Sequence, residues 1–429
     1  MVDRMPNEPL SILAPLRPHN NTCGYCGPPG QRSEEETNYH KAEGLAMQLS
    51  CRVYQEMIDR GWRRSGTYCY KPDLKRSCCP QYTIKLDALR FKPSKSQRKL
   101  LNRFNRFVIE GDHRDADDTM EGSSKEQSRS SQLKGKGKAA HVFNLVTDIH
   151  AAESSFVRDS TPAHRFEVTL EPSSYTEEKF ALYCSYQKEI HKEDDKEASS
   201  FRRFLVQTPL VSQPIEYACG QRPAHLPEKY GSYHQLYRLD GELIAMGVID
   251  ILPTCVSSVY FMYEKKWEKF SLGKLSALRE ASLAREIHDA GVPDMQYLYM
   301  GFYVHSCPKM RYKGDYAPSY LTDPEEYTWH PLERCRPLLD LFHYACFAHP
   351  EHSLETPASS ADPAPELSPE LLLETRYIAN IKGNQVSVAP VVLADEWKDP
   401  DAQGTILITL DALGEKLARE VLLDLSYNL

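Results

Sequence analysis

LYRLDGELIAMGVIDIL, residues 236–252, reads as two β-strands folded back on each other. Asp240-Gly241 supplies the tight turn, because these residues tolerate the positive φ angles that a two-residue hairpin needs. Leu236–Leu239 and Leu243–Leu252 flank it as strands, and Ser258–Tyr263 continues the β-rich texture. Lys274–Ala290 then reads as a helix stopped by Gly291-Val292-Pro293, and Tyr297–His305 as a further strand. Strands before and after one long helix give a β/α alternation and an α+β fold class.

Working outward, Ser33-Glu34-Glu35-Glu36 matches a capping box, and Ala42, Leu45, Ala46, Leu49, Val53 and Met57 follow at helical spacing up to Gly61. Tyr82–Phe91 reads as a strand and Lys95–Ile109 as an amphipathic helix. Residues 111–140 are rich in Gly, Ser, Lys and Asp and too poor in apolar residues to offset their ordering entropy, so they read as a disordered insert. His164–Leu170 and Phe204–Thr208 read as short strands around a helix near Thr176–His191. Residues 354–369 are Pro, Ser and Ala-rich, and Thr405–Leu429 reads as a strand and helix packing back on the body. The resulting blocks are 1–110, a cysteine-bearing N-terminal region; the insert, 111–140; 141–225, completing the N-terminal or substrate region; 226–350, the catalytic region; and 351–429, a linker with a C-terminal extension.

The 429 residues suffice for two full-sized cores, and a net charge of −8 excludes a general polycation. No apolar run reaches the ~18 residues of a membrane span, and Met1–Leu13 shows no secretory signal. The chain reads as cytoplasmic, or also nuclear, with no membrane partner. In such a compartment 12 cysteines suggest a metal site plus buried thiols.

Cys23-Gly-Tyr-Cys26 and the adjacent pair Cys78-Cys79 are the metal-ligand candidates. A C-x-x-C turn presents two thiolates to one ion, and a second pair completes a four-sulfur set for zinc or an iron–sulfur cluster. Cys69 is an alternative ligand, and four buried thiols remain the plain alternative. Consecutive side chains in extended chain point apart. The vicinal pair therefore tips the expectation towards an iron–sulfur cluster over zinc, as a staple for the N-terminal region remote from the chemistry.

Arg90–Ile109 holds Arg90, Lys92, Lys95, Arg98, Lys99, Arg103 and Arg106 without an acid, which suits either a solvated helix face or a phosphate-backbone footprint. Arg202-Arg203 and Lys265-Lys266 are smaller basic patches. No G-x-x-x-x-G-K-[ST], G-x-S-x-G or H-E-x-x-H occurs, nor a Gly-rich pyrophosphate loop before a helix. Neither ATP nor CoA is therefore expected, and β/α alternation without a CoA loop points to a different acyl donor.

Tyr230-Gly231-Ser232-Tyr233-His234-Gln235, Gly247-Val248-Ile249-Asp250-Ile251-Leu252-Pro253, Ser257-Ser258-Val259-Tyr260-Phe261, Ser271-Leu272-Gly273, Tyr299-Met300-Gly301-Phe302-Tyr303-Val304 and Lys309-Met310-Arg311-Tyr312-Lys313 occur in order, after Thr22-Cys23-Gly24-Tyr25-Cys26 and Tyr70-Lys71-Pro72. Together they resemble the eukaryotic, and most of all fungal, arginyl-tRNA–protein transferases through most of Thr22–Leu341. The resemblance implies a GNAT-like acyltransferase domain after the N-terminal metal-binding α/β domain. It implies transfer of arginine from arginyl-tRNA to proteins beginning with Asp, Glu or oxidised Cys, creating an N-degron for ubiquitin-dependent degradation with ubiquitin-ligase machinery as a possible partner. It also implies an iron–sulfur cluster, or zinc, on Cys23, Cys26, Cys78 and Cys79. An acyl-CoA-dependent N-acyltransferase and a non-catalytic metal-bearing adaptor are the competing readings.

Within that reading Asp250 is expected to orient or deprotonate the acceptor amine, or to hold the arginyl guanidinium. Ser257, Ser258 and Tyr260 would supply hydroxyls to the oxyanion or the terminal ribose. Lys309, Arg311 and Lys313 would line one face of an extended segment and read the acceptor's acid, aided by His234 and Gln235. Arg98, Lys99, Arg103, Arg202 and Arg203 would contact tRNA.

Overall fold

The computed structural model describes residues 8–28, 31–112, 142–157, 161–218, 222–383 and 385–427. Nearly all of the expected disordered insert, 113–140, lies outside the described residues.

The residues 236–252 hairpin forms as read. Strand β9 (Lys229–Leu239) and β10 (Glu242–Leu252) are antiparallel, and the turn carries φ angles of 52° at Asp240 and 86° at Gly241. They lie inside a nine-stranded sheet with β11 (Cys255–Tyr263), β12 (Tyr297–Tyr303), β6 (Tyr82–Asp87), β13 (Ser319–Thr322), β14 (Trp329–Pro331), β7 (Phe166–Pro172) and β8 (Gln213–Pro214), in the order β14-β13-β6-β12-β11-β10-β9-β7 with β8 beside β9. Ten of the eleven β10 residues are buried, since both faces of this sheet are covered. One face carries the helices Lys95–Glu110 and Leu272–Asp289 over a core that includes Phe104, Phe107, Ile249, Leu278 and Ile287. The other carries the helical segments Glu177–Tyr186 and Ala198–Phe201.

An eight-stranded sheet covers the rest of that second face. It comprises β1 (Ser11–Leu16), β2 (Asn20–Asn21), β3 (Asn38–Gln48), β4 (Arg63–Ser65), β5 (Tyr68–Pro72), β15 (Arg376–Lys382), β16 (Gln385–Pro390) and β17 (Val421–Leu423), ordered β16-β15-β17-β1-β3-β5-β4 with β2 beside β3. Leu13, Ala46 and Trp62 from this side meet Leu252, Cys255 and Tyr299 of the larger sheet in one core. The chain order does not partition into blocks. Residues 1–110 give strands to both sheets, and the 351–429 extension closes the smaller one, with β17 parallel to β1 (Ser11 opposite Val421). The tail carries the expected helix and strand, as Pro400–Leu413 and β17.

Two expected elements differ. Asn38–Gln48 is a strand, not the first turns of a helix. It lies between β1 and β5 with side chains buried on both faces, and that burial mimics a helical period in Ala42, Leu45 and Ala46. The helix starts only at Cys51–Asp59, where Ser50 accepts from the Val53 N–H. Arg202–Val206 is helical, not a strand, because Phe201 and Leu205 face β10 from one helical side.

Candidate functional site

β11 and β12 are parallel neighbours for only three pairs, Cys255–Tyr297, Val256–Leu298 and Ser257–Tyr299. Beyond Ser257 and Tyr299 the ladder stops while both strands run on, so they part and open a wedge in the sheet. At the fork Gly301 has φ 67°, the left-handed region that favours glycine, and the β12–β6 register shifts between Tyr299 and Phe302. This bulge directs the Gly301 carbonyl to the buried Arg63 guanidinium, 3.1 Å away.

A buried and a half-buried ionisable group flank the wedge. Ser258 of β11 stands beside Glu280, which accepts from Ser276 Oγ at 2.7 Å. Glu280 is 2% exposed, and burial pushes its carboxyl up to about 7. On the β12 side Lys313 donates to the Phe302 carbonyl at 2.7 Å. Burial, reinforced by the Arg63 charge, pulls the Lys313 amine down to about 7. Each group thus lies near neutrality, one beside β11 and the other beside β12, and such shifted groups are candidates for moving a proton. Sequence reading missed Glu280. The available signal was the Leu272–Asp289 helix itself, whose apolar residues Leu275, Leu278, Ala281, Leu283 and Ala284 occur nearly all round and demand burial of the charges between them.

Tyr260 points to the other side of β11. Its hydroxyl accepts from Gln187 Nε2 at 2.8 Å and stands 3.4 Å from His191 Nε2. Burial, with the Lys309 charge adding to it, lowers the His191 imidazole. Tyr260, His191 and Lys309 therefore share one corner. Lys309, Arg311 and Lys313 do not form an extended row. Pro308 opens a helical turn, Pro308–Arg311, and a 3-10 turn Tyr312–Asp315 follows. The turn sends Lys313 inwards while Lys309 and Arg311 stay exposed, Arg311 donating to the His305 carbonyl at 2.7 Å.

Several expected site residues hold the fold instead. Asp250 is completely buried, in a two-point ion pair with Arg64 at 2.6 and 3.0 Å, and Ser232 Oγ donates to it at 2.6 Å. Arg64 lies on β4 and Asp250 on β10, so the pair pins the two sheets together. His234 is sealed, its Nε2 donating to the Leu205 carbonyl at 2.9 Å, and burial pulls its imidazole down to about 4. Gln235 is buried and accepts from the Tyr237 hydroxyl, and Ser257 is buried opposite Tyr299. Arg98, Lys99, Arg103, Arg202 and Arg203 are exposed. Arg202 stacks over Tyr175 at 3.4 Å, and Arg103 caps the Lys269 carbonyl at 2.5 Å.

The sulfurs of Cys23, Cys26, Cys78 and Cys79 converge within 4.8 Å of one another, with Cys26 and Cys78 3.8 Å apart. The Tyr25 N–H and Thr37 Oγ donate to Cys23 and Cys78 sulfurs at 3.3 and 3.1 Å. Donors aimed at sulfur suit thiolates, so this set fits a metal. Cys23 and Cys79 pack with Val304, Cys307 and Met310. The four-sulfur site thus braces the segment that carries Lys309 and Lys313, and is not confined to the N-terminal region.

The fold is of the mixed α+β class, with its larger sheet forked between β11 and β12. Residues 21–99 match the N-terminal, and residues 178–323 the C-terminal, family model of arginine-tRNA-protein transferase. Arginyl-tRNA–protein transferase 1 of Drosophila melanogaster is 34% identical over 416 aligned residues, covering 75% of this chain and 82% of the relative. The Dictyostelium discoideum protein of that name is 26% identical, covering 74% and 84%. An aspartate/glutamate leucyltransferase of Polynucleobacter asymbioticus is 24% identical, covering 73% and 93%. The chain belongs to the arginyl-tRNA–protein transferase family.

Proposed function

We propose that the wedge between β11 and β12 is where arginine passes from the 3′ end of arginyl-tRNA to the N-terminal α-amine of a protein beginning with Asp, Glu or oxidised Cys. The Ser258–Glu280 contact at the fork of the sheet is the observation that carries this reading. An aminoacyl ester is already activated, so the transfer requires neither ATP nor CoA. The amine, with an unperturbed pKa of ~8, enters as the neutral base after releasing one proton to solvent; as it attacks the ester carbonyl, a second proton leaves the nitrogen through Ser258 to the Glu280 carboxylate. The oxyanion forms beside Ser258 and the Lys313 ammonium. On collapse the amide C–N bond is kept, the ester C–O bond breaks, and the leaving ribose oxygen takes a proton back from Glu280. Labelled arginine moving from tRNA to an Asp-starting protein, and not to its Gly-starting twin, tests the assignment.

The corner of Lys309, His191 and Tyr260 is suited to the acceptor's acidic side chain. Lys309→Ala is expected to raise KM for an Asp-starting peptide by roughly tenfold or more, the loss of one charge-assisted hydrogen bond, while tRNA affinity stays within twofold. A parallel fall in tRNA binding would reassign Lys309 to the nucleic acid.

Transfer RNA is proposed to lie across the exposed basic side of Lys95–Glu110, with Arg202 and Arg203 as secondary contacts. Reversing Arg98, Lys99 and Arg103 to Glu should weaken tRNA binding and flatten the log–log salt slope by about two to three, near one per lost phosphate contact. A slope equal to the wild type's would rule the helix out.

For the four cysteines the sulfur spacing favours zinc over an iron–sulfur cluster. A tetrahedral ion with bonds of about 2.3 Å holds its sulfurs about 3.8 Å apart, whereas several irons spread their thiolates further. The metal's contribution is to hold Cys23, Cys26, Cys78 and Cys79 together and so to fix the Val304–Met310 segment. The product is proposed to be an N-degron recognised by ubiquitin-ligase machinery in the cytoplasm or nucleus. The unpaired state of the described cysteines suits that reducing environment.

A further inference from the structure

Outside the wedge and the four-cysteine site, a second donor set is built on the face of the larger sheet that carries the Leu272–Asp289 helix. His150 follows the helix Leu145–Ile149, His225 stands in the Pro223–Leu226 turn, and Glu286 lies on the helix Leu272–Asp289. Both imidazoles approach the same oxygen. Glu286 Oε2 is 3.0 Å from His150 Nε2 and 2.8 Å from His225 Nε2. One donor atom from each of the three residues falls within 4.8 Å of the others. An ion held at about 2.0–2.2 Å by two imidazoles and a carboxylate separates its ligands by about 3.0–3.5 Å, close to the two carboxylate–imidazole sides of this triangle.

The surroundings are those of an oriented metal ligand set. The far nitrogen of His150, Nδ1, is 2.8 Å from Glu153 Oε1, and Glu153 is in turn clamped by the buried Arg279. Ser282 Oγ donates to the second oxygen of Glu286 at 2.7 Å. A carboxylate behind a histidine fixes its tautomer and aims the opposite nitrogen, as behind metal-bound imidazoles generally. Phe156 stacks on His150 at 4.0 Å and holds the ring plane. His150, His225 and Glu286 also line a cavity of about 760 Å³ whose other walls include Val146, Phe156 and Leu226.

We propose that His150, His225 and Glu286 form a binding site for a divalent cation of the zinc class, with the remaining coordination position open to this cavity. Two imidazoles and one carboxylate are the donors such ions prefer, and they are too nitrogen-rich for calcium or magnesium. Three protein ligands leave a position for water or a small oxygen or nitrogen donor. The site is separate from the four cysteines and does not depend on which metal they hold.

Cobalt(II) distinguishes the two sites, because thiolate-bound cobalt shows sulfur-to-metal charge-transfer bands and a nitrogen–oxygen site does not. The full chain, stripped of metal, is titrated with cobalt(II) alone. The expected result is cobalt binding beyond the amount that saturates the thiolate bands. His225→Ala and Glu286→Gln should each weaken that extra binding at least tenfold and leave the thiolate bands unchanged, and Glu153→Gln should weaken it by roughly ten- to a hundredfold. His225 is exposed on a turn, so its variant keeps the test valid if the Glu286 variant fails to fold. Absence of cobalt outside the thiolate site in the wild type, or equal extra binding in His225→Ala, overturns the proposal.

Discussion

Glu280→Gln is expected to slow arginine transfer by roughly a hundred- to ten-thousand-fold in single-turnover measurements, the range that a positioned general base supplies. The same substitution should make the protein more stable above neutral pH. The carboxyl is raised from an ordinary 4.5 to about 7, so the folded state favours the protonated form. The stability this contributes is fully present below about pH 4.5 and is lost as pH rises through 7. Above pH 7 the wild type holds an ionised carboxylate in a buried site at a cost of roughly 3 kcal/mol, which a neutral amide of the same shape avoids. Thermal unfolding at pH 8 should therefore place the variant above the wild type, and at pH 4.5 the two should coincide. The wild-type rate should climb with pH through about 7, and the variant should lose that limb. A variant with wild-type kcat would remove Glu280 from the mechanism, whereas one destabilised at every pH would show that its hydrogen bond to Ser276 outweighs its charge.

What the sequence could and could not show follows from the range of the signals. The β9–β10 hairpin, the Lys95–Glu110 and Leu272–Asp289 helices and the closing strand of the tail are written in turn residues, caps and periodicity, all local. The Cys23-x-x-Cys26 and Cys78-Cys79 pairs were legible because metal chemistry restricts residue type and spacing. Asn38–Gln48 was not, since burial on both faces of a central strand places apolar residues where a helix would also place them. Nor was the inward turn of Lys313, which depends on Pro308 breaking the extended chain. The wedge is a tertiary event, because a three-pair ladder that then stops has no local signature. Glu280 is hidden for the same reason. A glutamate beside Arg279 looks like a surface charge until β11 covers it.

Asp250 was legible as a candidate residue, but its role was not, because its partner Arg64 lies 186 positions away. The pairing predicts a large loss of stability without a catalytic signature. In Asp250→Ala the Arg64 guanidinium, 3% exposed as a side chain, keeps its charge and loses its counter-ion. Removing one partner of such a buried pair costs about 3–5 kcal/mol, a large part of the stability of an ordinary protein. Burying two charges is itself expensive, so an apolar replacement of both should return most of the loss. Urea unfolding is therefore expected to show Asp250→Ala strongly destabilised and the Arg64→Met, Asp250→Leu double variant close to the wild type. If the pair serves only to pin β4 to β10, the double variant transfers arginine at nearly the wild-type kcat. A well-folded double variant with kcat reduced a hundredfold would return Asp250 to the chemistry, and would require the two sheets to move apart before substrate could reach it.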